Sequence, residues 1–156
     1  MNENSNIFIN KRILIYGIGK SGISAFNFLK KDNEVLLFDD NRKIIINKNI
    51  NKKILSIDKI NKSKFEIIIL SPGIDINKCK LKNLLKKNFK KIYTDLDVFN
   101  SFYKNQCITI TGTNGKSTTC KLLYEILKKQ GMDVKLAGNI GFPILSIKNI
   151  KPKSIF

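Results

Sequence analysis

Residues Ile108 to Thr119, which read I-T-I-T-G-T-N-G-K-S-T-T, constrain this chain more than any other stretch. β-Branched residues run into a glycine loop, and the loop ends in Lys-Ser at the head of a segment with helical periodicity. Strand, loop and helix in that order predict a phosphate cradle. Backbone N–H groups freed by the glycines and the helix N-terminus both face an anion there. Gly112, Thr113, Asn114, Gly115, Lys116, Ser117 and Thr118 are the predicted contacts to ATP. Lys116 reaches the β- and γ-phosphates and is the candidate catalytic residue, while the Ser117 hydroxyl is the candidate Mg²⁺ ligand. The common spacing has a further glycine where Ile110 stands, so the loop is a shortened variant.

A second glycine loop lies near the N-terminus. Arg12–Tyr16 is predicted as a buried strand, followed by Gly17, Ile18, Gly19, Lys20, Ser21 and Gly22, then a helix with Ala25, Phe26 and Leu29 on one face. A strand over Glu34–Phe38 ends in Asp39-Asp40, about 20 residues beyond the loop, as the dinucleotide fingerprint expects. Asp39 is predicted to hold a ribose or another polar ring group. On the residues alone, NAD and a nucleoside diphosphate are both open. Phe65–Leu70 is a further β-branched run, and it ends in Ser71-Pro72-Gly73-Ile74, a sequence that suits a turn with or without a ligand.

The remaining segments continue the α/β alternation. Thr94 is a predicted N-cap, with Asp95 and Asp97 suited to the positive end of the helix that follows. Beyond the phosphate loop, Leu122, Leu123, Ile126 and Leu127 form a predicted core stripe, and Gly131 ends the helix. Asp133–Leu136 is predicted as a short strand and Lys153–Phe156 as the start of another. Between them, Asn139 sits in a glycine turn, where Asn commonly adopts a left-handed conformation.

The T-G-T-N-G-K-S-T loop closely resembles the ATP loop of the Mur ligases, enzymes of peptidoglycan-precursor synthesis. The G-I-G-K-S-G loop, the S-P-G-I turn, T-D-L-D-V-F and G-N-I-G are similar, in the same order, to the D-glutamate-adding members. The resemblance covers nearly all the chain. It implies that Gly17, Ile18, Gly19, Lys20, Ser21, Gly22, Asp39, Asp40, Ser71 and Gly73 hold the UDP portion of the substrate, with Asn139 near the diphosphate. The implied reaction joins D-glutamate to UDP-N-acetylmuramoyl-L-alanine with ATP and Mg²⁺, through an acyl phosphate. L-Alanine-adding members are the nearest alternative, although their first loop usually carries adjacent glycines. Members that add diamino acids have a different first domain. Folylpolyglutamate synthases begin with the ATP loop, whereas ~100 residues precede it here, enough for a domain. A standalone nucleotide-binding module without ligase activity is the alternative of a different class.

The expected fold is therefore α/β. Residues 1–93 form a Rossmann-like parallel-sheet domain, and residues 94–156 open a P-loop ATP-binding α/β domain that is incomplete. On this expectation the chain corresponds to the N-terminal part of a ligase and is inactive alone. No residue is a convincing base for the incoming ammonium.

Composition excludes several other classes. The formal charge is +17, from 29 basic and 12 acidic residues. The lysines are spread along the chain among Asn and Ile, with few aromatics between them to stack on bases, so no nucleic-acid partner is expected. Residues 41–53 are the nearest to a low-complexity run and are predicted as a variable surface strand and loop. Cys79, Cys107 and Cys120 form no C-x-x-C pair, and the chain has no histidine, which leaves no basis for a zinc site or a His-based triad. The apolar runs fall far short of the ~20 residues that span a bilayer. Met1–Asn6 lacks the basic and apolar regions of a signal peptide, so a cytoplasmic, monomeric enzyme acting on small molecules is expected.

Overall fold

The computed structural model describes residues 6–41, 48–138 and 140–156. Five strand residues at β1 (Arg12–Tyr16) and four at β3 (Ile67–Leu70) are apolar almost without interruption. Such runs suit strands covered on both faces, as in a parallel sheet. Side chains alternate between the faces. Ile13, Ile15, Ile67 and Ile69 enter one core cluster, and Leu14, Tyr16, Ile68 and Leu70 enter the other. Burying each of these side chains stabilises the fold by ~1.5–3 kcal/mol relative to leaving it exposed.

The strands β2 (Glu34–Phe38) and β4 (Ile92–Tyr93) complete a four-stranded parallel sheet of order β2-β1-β3-β4. Ile54 adds an isolated parallel bridge to Leu37 at the β2 edge. The first face is covered by α1 (Lys20–Leu29), α5 (Asp95–Phe102) and a 3₁₀ turn at Ile144–Ser146. The second carries α3 (Ile57–Asn61) and α4 (Lys82–Lys87), which supply Ile60 and Leu85 to its cluster. Between β2 and α3 lies the single helical turn α2 (Lys48–Asn51). The strands at 12–16 and 34–38 and the helix bearing Ala25, Phe26 and Leu29 match expectation. The α/β class and the parallel sheet also match.

Several expectations need correction. The run at 41–53 is expected to be strand and loop, but Lys48–Asn51 within it form a helical turn; residues 42–47 lie outside the described residues. Ile108–Ile110 form no strand, and Asp133–Leu136 contribute only the bridge Val134 to Ile155. Ile155 also bridges Gln106 in parallel. Phe156 N–H donates to Gln106 O at 3.0 Å and Lys135 N–H to Ile155 O at 2.8 Å. Three extended segments thus meet around Ile155 through single bridges too short to count as strands. The helix α6 (Lys116–Lys129) forms where expected and stops at Gly131, whose φ is +78°. Its apolar stripe, however, is not a core: no residue of α6 is buried, with Leu122 61% and Ile126 44% exposed. Among the described residues no layered sheet lies against that face.

Candidate functional site

The order β2-β1-β3-β4 means the chain leaves β1 toward one side and later returns on the other, so a topological switch point lies between β1 and β3. Crevices at such points, outside the carboxyl ends of the strands, are where open α/β sheets bind ligands. The loop after β1 and the Ser71–Ile74 turn after β3 flank that point. Gly17 N–H donates to Phe38 O at 2.8 Å and Ser71 N–H to Tyr16 O at 2.9 Å, extending the sheet's pairing into both loops. Ser71 Oγ donates to Gly17 O at 2.9 Å across the crevice. Gly17 has φ +98°, and a Cβ there would stand 2.7 Å from the Ser71 Cβ. Ser71 therefore braces the glycine loop, and Ile74 N–H closes its own turn onto Ser71 O at 3.0 Å.

Gly19 is the N-cap of α1 and offers no side-chain cap. The first intrahelical bond runs from Ile23 N–H to Gly19 O. The N–H groups of Lys20, Ser21 and Gly22 accordingly lack intrahelical acceptors and project from the positive end of the helix. Nothing lies within 4 Å of a Cβ built on Gly19 or on Gly73, so both glycines border open space. An anion can approach the backbone closely there.

The acidic pair is engaged with the protein itself. Asp39 Oδ2 accepts from Ile18 N–H at 2.7 Å and Oδ1 from Asn41 N–H at 2.8 Å. Asp39 thus fixes the glycine loop while lying half-buried at the end of β2. Asp40 Oδ1 accepts from the Tyr16 hydroxyl at 2.6 Å, and its Oδ2 from Lys80 N–H at 3.3 Å. Burial, with the Asp40 hydrogen bond second, pushes the Tyr16 phenol above its ordinary pKa. The Tyr16 and Lys80 contacts had no signal in the sequence, because Lys80 lies 40 residues from Asp40.

At the second loop, Gly112 and Gly115 have φ of +146° and +76°, values that favour glycine. Gly115 is the N-cap of α6, and Thr119 N–H makes the first helical bond to its carbonyl at 2.9 Å. The N–H groups of Lys116, Ser117 and Thr118 are thereby left without intrahelical acceptors. Thr113, Asn114, Ser117 and Thr118 are exposed. The Lys116 ammonium donates to Gly112 O and, at 3.1 Å, to Thr113 O. It folds over the very loop it was expected to serve. Asn139, a further candidate contact, lies outside the described residues.

Two surface depressions, of about 380 and 500 Å³, lie away from both loops. One opens beside Phe65 before β3, at the opposite end of the sheet, and the other beside Ile23 and Lys53. Neither coincides with the crevice between the two loops.

The family of Mur ligase MurD-like N-terminal domains matches residues 11–92, and the Mur ligase middle-domain family matches residues 110–155. The chain belongs to the Mur ligase family. The first match spans β1 to β4, and the second begins two residues before Gly112. A relative from Buchnera aphidicola subsp. Schizaphis graminum, named UDP-N-acetylmuramoylalanine–D-glutamate ligase, is 39% identical over 149 residues, covering 92% of this chain and 34% of the relative. One of the same name from Rickettsia felis is 36% identical, covering 94% of this chain and 33% of its own length. Among solved structures, a pseudomurein peptide ligase type C from Methanothermus fervidus is similar at 34% identity, with a TM-score of 0.47 over 84% of this chain and 29% of that one. The chain spans about a third of the length of the curated relatives it matches.

Proposed function

We propose that these residues form the UDP-substrate crevice and the ATP-phosphate loop of a D-glutamate-adding Mur ligase. The observation that carries this reading is a single chain with two glycine-to-helix turns, each leaving first-turn amides open, in the order of that family's first and middle domains. Relatives bearing the name UDP-N-acetylmuramoylalanine–D-glutamate ligase support the choice of substrates. Residues 1–93 serve as the substrate domain, and residues 94–156 open the ATP-binding one.

In the crevice, the amides of Lys20, Ser21 and Gly22 receive the substrate diphosphate, with Gly19 and Gly73 leaving room for it. Asp39 holds the loop and presents its remaining acceptor capacity to the uridine, while Gly17, Ile18 and Ser71 shape the wall. Asn139 is assigned to the diphosphate on the family pattern. The residues at 112–118 fit a nucleoside triphosphate: open amides, a lysine and the hydroxyls of Thr113, Ser117 and Thr118 lie on a loop held by two left-handed glycines. ATP supplies the phosphoryl group that activates a carboxylate toward an amine. Lys116 releases the Gly112 and Thr113 carbonyls and offsets the phosphate charge, and the Ser117 hydroxyl serves as a Mg²⁺ ligand. Cytoplasmic action as a monomer follows the family reading, and no helix among the described residues is long and apolar enough to cross a membrane.

Calorimetry of UDP and NAD against the 156-residue chain tests the crevice. Moderate salt is needed, because the +17 charge attracts any polyphosphate. UDP is expected to bind more tightly. Tighter NAD binding would overturn the ligase reading of this crevice in favour of a dinucleotide site.

A further inference from the structure

The geometry points to Asp40 as a positioning residue: through Tyr16 and Lys80 it clamps residues 71–81 beside the crevice and so sets the wall against which the UDP portion of the substrate rests. The inference depends on the crevice being a UDP site.

The connections are specific. Tyr16 ends β1, and its carbonyl already holds Ser71 N–H at 2.9 Å. Its side chain is fully buried, edge-on to Phe38 at 5.1 Å between ring centroids, so its hydroxyl has one fixed position. That hydroxyl donates to Asp40 Oδ1 at 2.6 Å. Asp40 Oδ2 accepts the Lys80 amide at 3.3 Å, and the Asp40 carbonyl accepts the Lys80 ammonium at 2.6 Å. The far end of the segment is thereby tied to the end of β2, while Ser71 ties its near end to β1.

Between these ties the chain is a succession of turns. Asp75 O accepts from Lys78 N–H at 3.1 Å and Cys79 N–H at 3.0 Å, and Asp75 Oδ1 accepts from Asn77 N–H at 2.9 Å. Cys79 and Leu81 are buried, anchoring the end of the segment in the second core cluster. No regular element spans residues 71–81, so its placement depends on the ties at its ends and on Ile74 and Ile76, which pack against the second cluster between them. The near end carries the Ser71–Ile74 turn that forms the crevice wall. Loss of the far tie lets that wall move without unfolding the sheet.

Both carboxylate oxygens of Asp40 are engaged within the protein, one by the Tyr16 hydroxyl and the other by the Lys80 amide. The effect of Asp40 on binding passes through the segment it holds. The raised pKa of Tyr16 keeps its hydroxyl a donor well into alkaline solution, so the tie is made under any ordinary assay condition.

The test uses the whole chain with Asp40→Asn, Tyr16→Phe and the double variant. UDP affinity is measured by calorimetry, folded fraction by thermal melts, and exposure of the Lys80 amide by hydrogen exchange without ligand. Each single variant should weaken UDP binding by roughly three- to tenfold, the scale of one hydrogen bond. The double variant should be no weaker than the worse single one, because both cut the same tie. The Lys80 amide should exchange faster in all three. Weakening by Asp40→Asn with Tyr16→Phe unaffected, or additive losses, would overturn the proposal by making Asp40 an independent contact. Lower melting temperatures with unchanged UDP affinity would overturn it too, leaving Asp40 purely structural. Failure of the unmodified chain to bind UDP would overturn the reading of the crevice, and the proposal with it.

Discussion

Two glycines three residues apart should respond to alanine in opposite ways. A Cβ on Gly22 would collide with the Gly17 carbonyl oxygen and stand 3.0 Å from its carbon and 3.3 Å from Ser71 Oγ. The obstacle is backbone, which cannot rotate aside. Overpacking of this kind costs ~1–3 kcal/mol, with a rigid neighbour at the upper end. Alanine returns roughly 0.5–1 kcal/mol through better helix propensity. The net loss is about 2 kcal/mol, which lowers Tm by about 4–8 °C for a chain of this size. At Gly19 nothing lies within 4 Å of an added Cβ, and its φ of −77° is open to any residue. Alanine is a poorer N-cap than glycine, but it also restricts the unfolded chain, and the two terms nearly cancel. Gly19→Ala should therefore melt within about 2 °C of the unmodified protein while losing roughly tenfold or more in UDP affinity, since its methyl stands where the diphosphate approaches. Melts by circular dichroism and calorimetric titration with UDP read both effects. An unchanged melt for Gly22→Ala would refute the direct packing of α1 on the loop, and normal UDP affinity for Gly19→Ala would refute the placement of the diphosphate.

Lys116→Ala removes contacts only to carbonyls of its own exposed loop, so Tm should hold while ATP affinity falls at least tenfold by calorimetry; unchanged ATP binding would remove Lys116 from the phosphate site. Thr94 and Asp97 form a complete capping box at the start of α5, with Thr94 N–H to Asp97 Oδ2 at 2.7 Å. Thr94→Ala should cost about 1 kcal/mol, or about 2–4 °C in Tm, and a melt unchanged within error would show the cap to be dispensable. Hydrogen bonds from Lys135 and then from Ser154 hold the Asp133 carboxyl below its ordinary range. Its folded pKa is depressed, so its stabilising effect is present above the ordinary aspartate pKa of ~3.9 and is lost as pH falls through the folded value. Urea melts across that range should weaken on acidification, and Asp133→Asn should be less stable at neutral pH with a flatter profile. An equally steep profile in the variant would assign the acid sensitivity to another group, such as Glu66, whose pKa is lowered mainly by its hydrogen bond from Lys11.

The first sheet was legible in the sequence because each local signal agreed with its neighbours. Apolar runs at 12–16 and 34–38, a glycine loop and a helix with one apolar face all specify the same α/β unit, and the strand limits coincide with those observed. The elements that were missed are short. β4 has two residues and α4 six, below the length at which periodicity identifies an element. At the crevice, glycine positions could be read directly, since a turn with φ of +98° or a carbonyl in contact with a helix admits little else. The bonds of the acidic pair could not. Sequence spacing placed Asp39 and Asp40 at the end of β2, but whether a carboxylate faces a ligand or a tyrosine depends on tertiary partners such as Tyr16 and Lys80.

The second half separates pattern from packing. The stripe Leu122, Leu123, Ile126 and Leu127 has the period of a buried helix face, and α6 forms over it, yet none of its residues is buried. Periodicity records which side of a helix prefers to leave water; burial also needs a surface to receive it. In the first half that surface is β1 to β4. In the second, Gln106, Val134 and Ile155 meet through isolated bridges, and the contacts that hold this region run back to the first sheet's helical layer: Ile144 and Leu145 are buried there, and Phe156 packs edge-on against Phe99 at 4.7 Å. The tail is fixed further by Asn105, whose amide donates to Lys151 O at 2.8 Å and Ser154 O at 2.9 Å. The loop at 112–118 therefore stands on local geometry, two left-handed glycines and the first turn of α6, while a few long-range ties around Ile155 and Phe156 join the segments that flank it to the first sheet's helical layer.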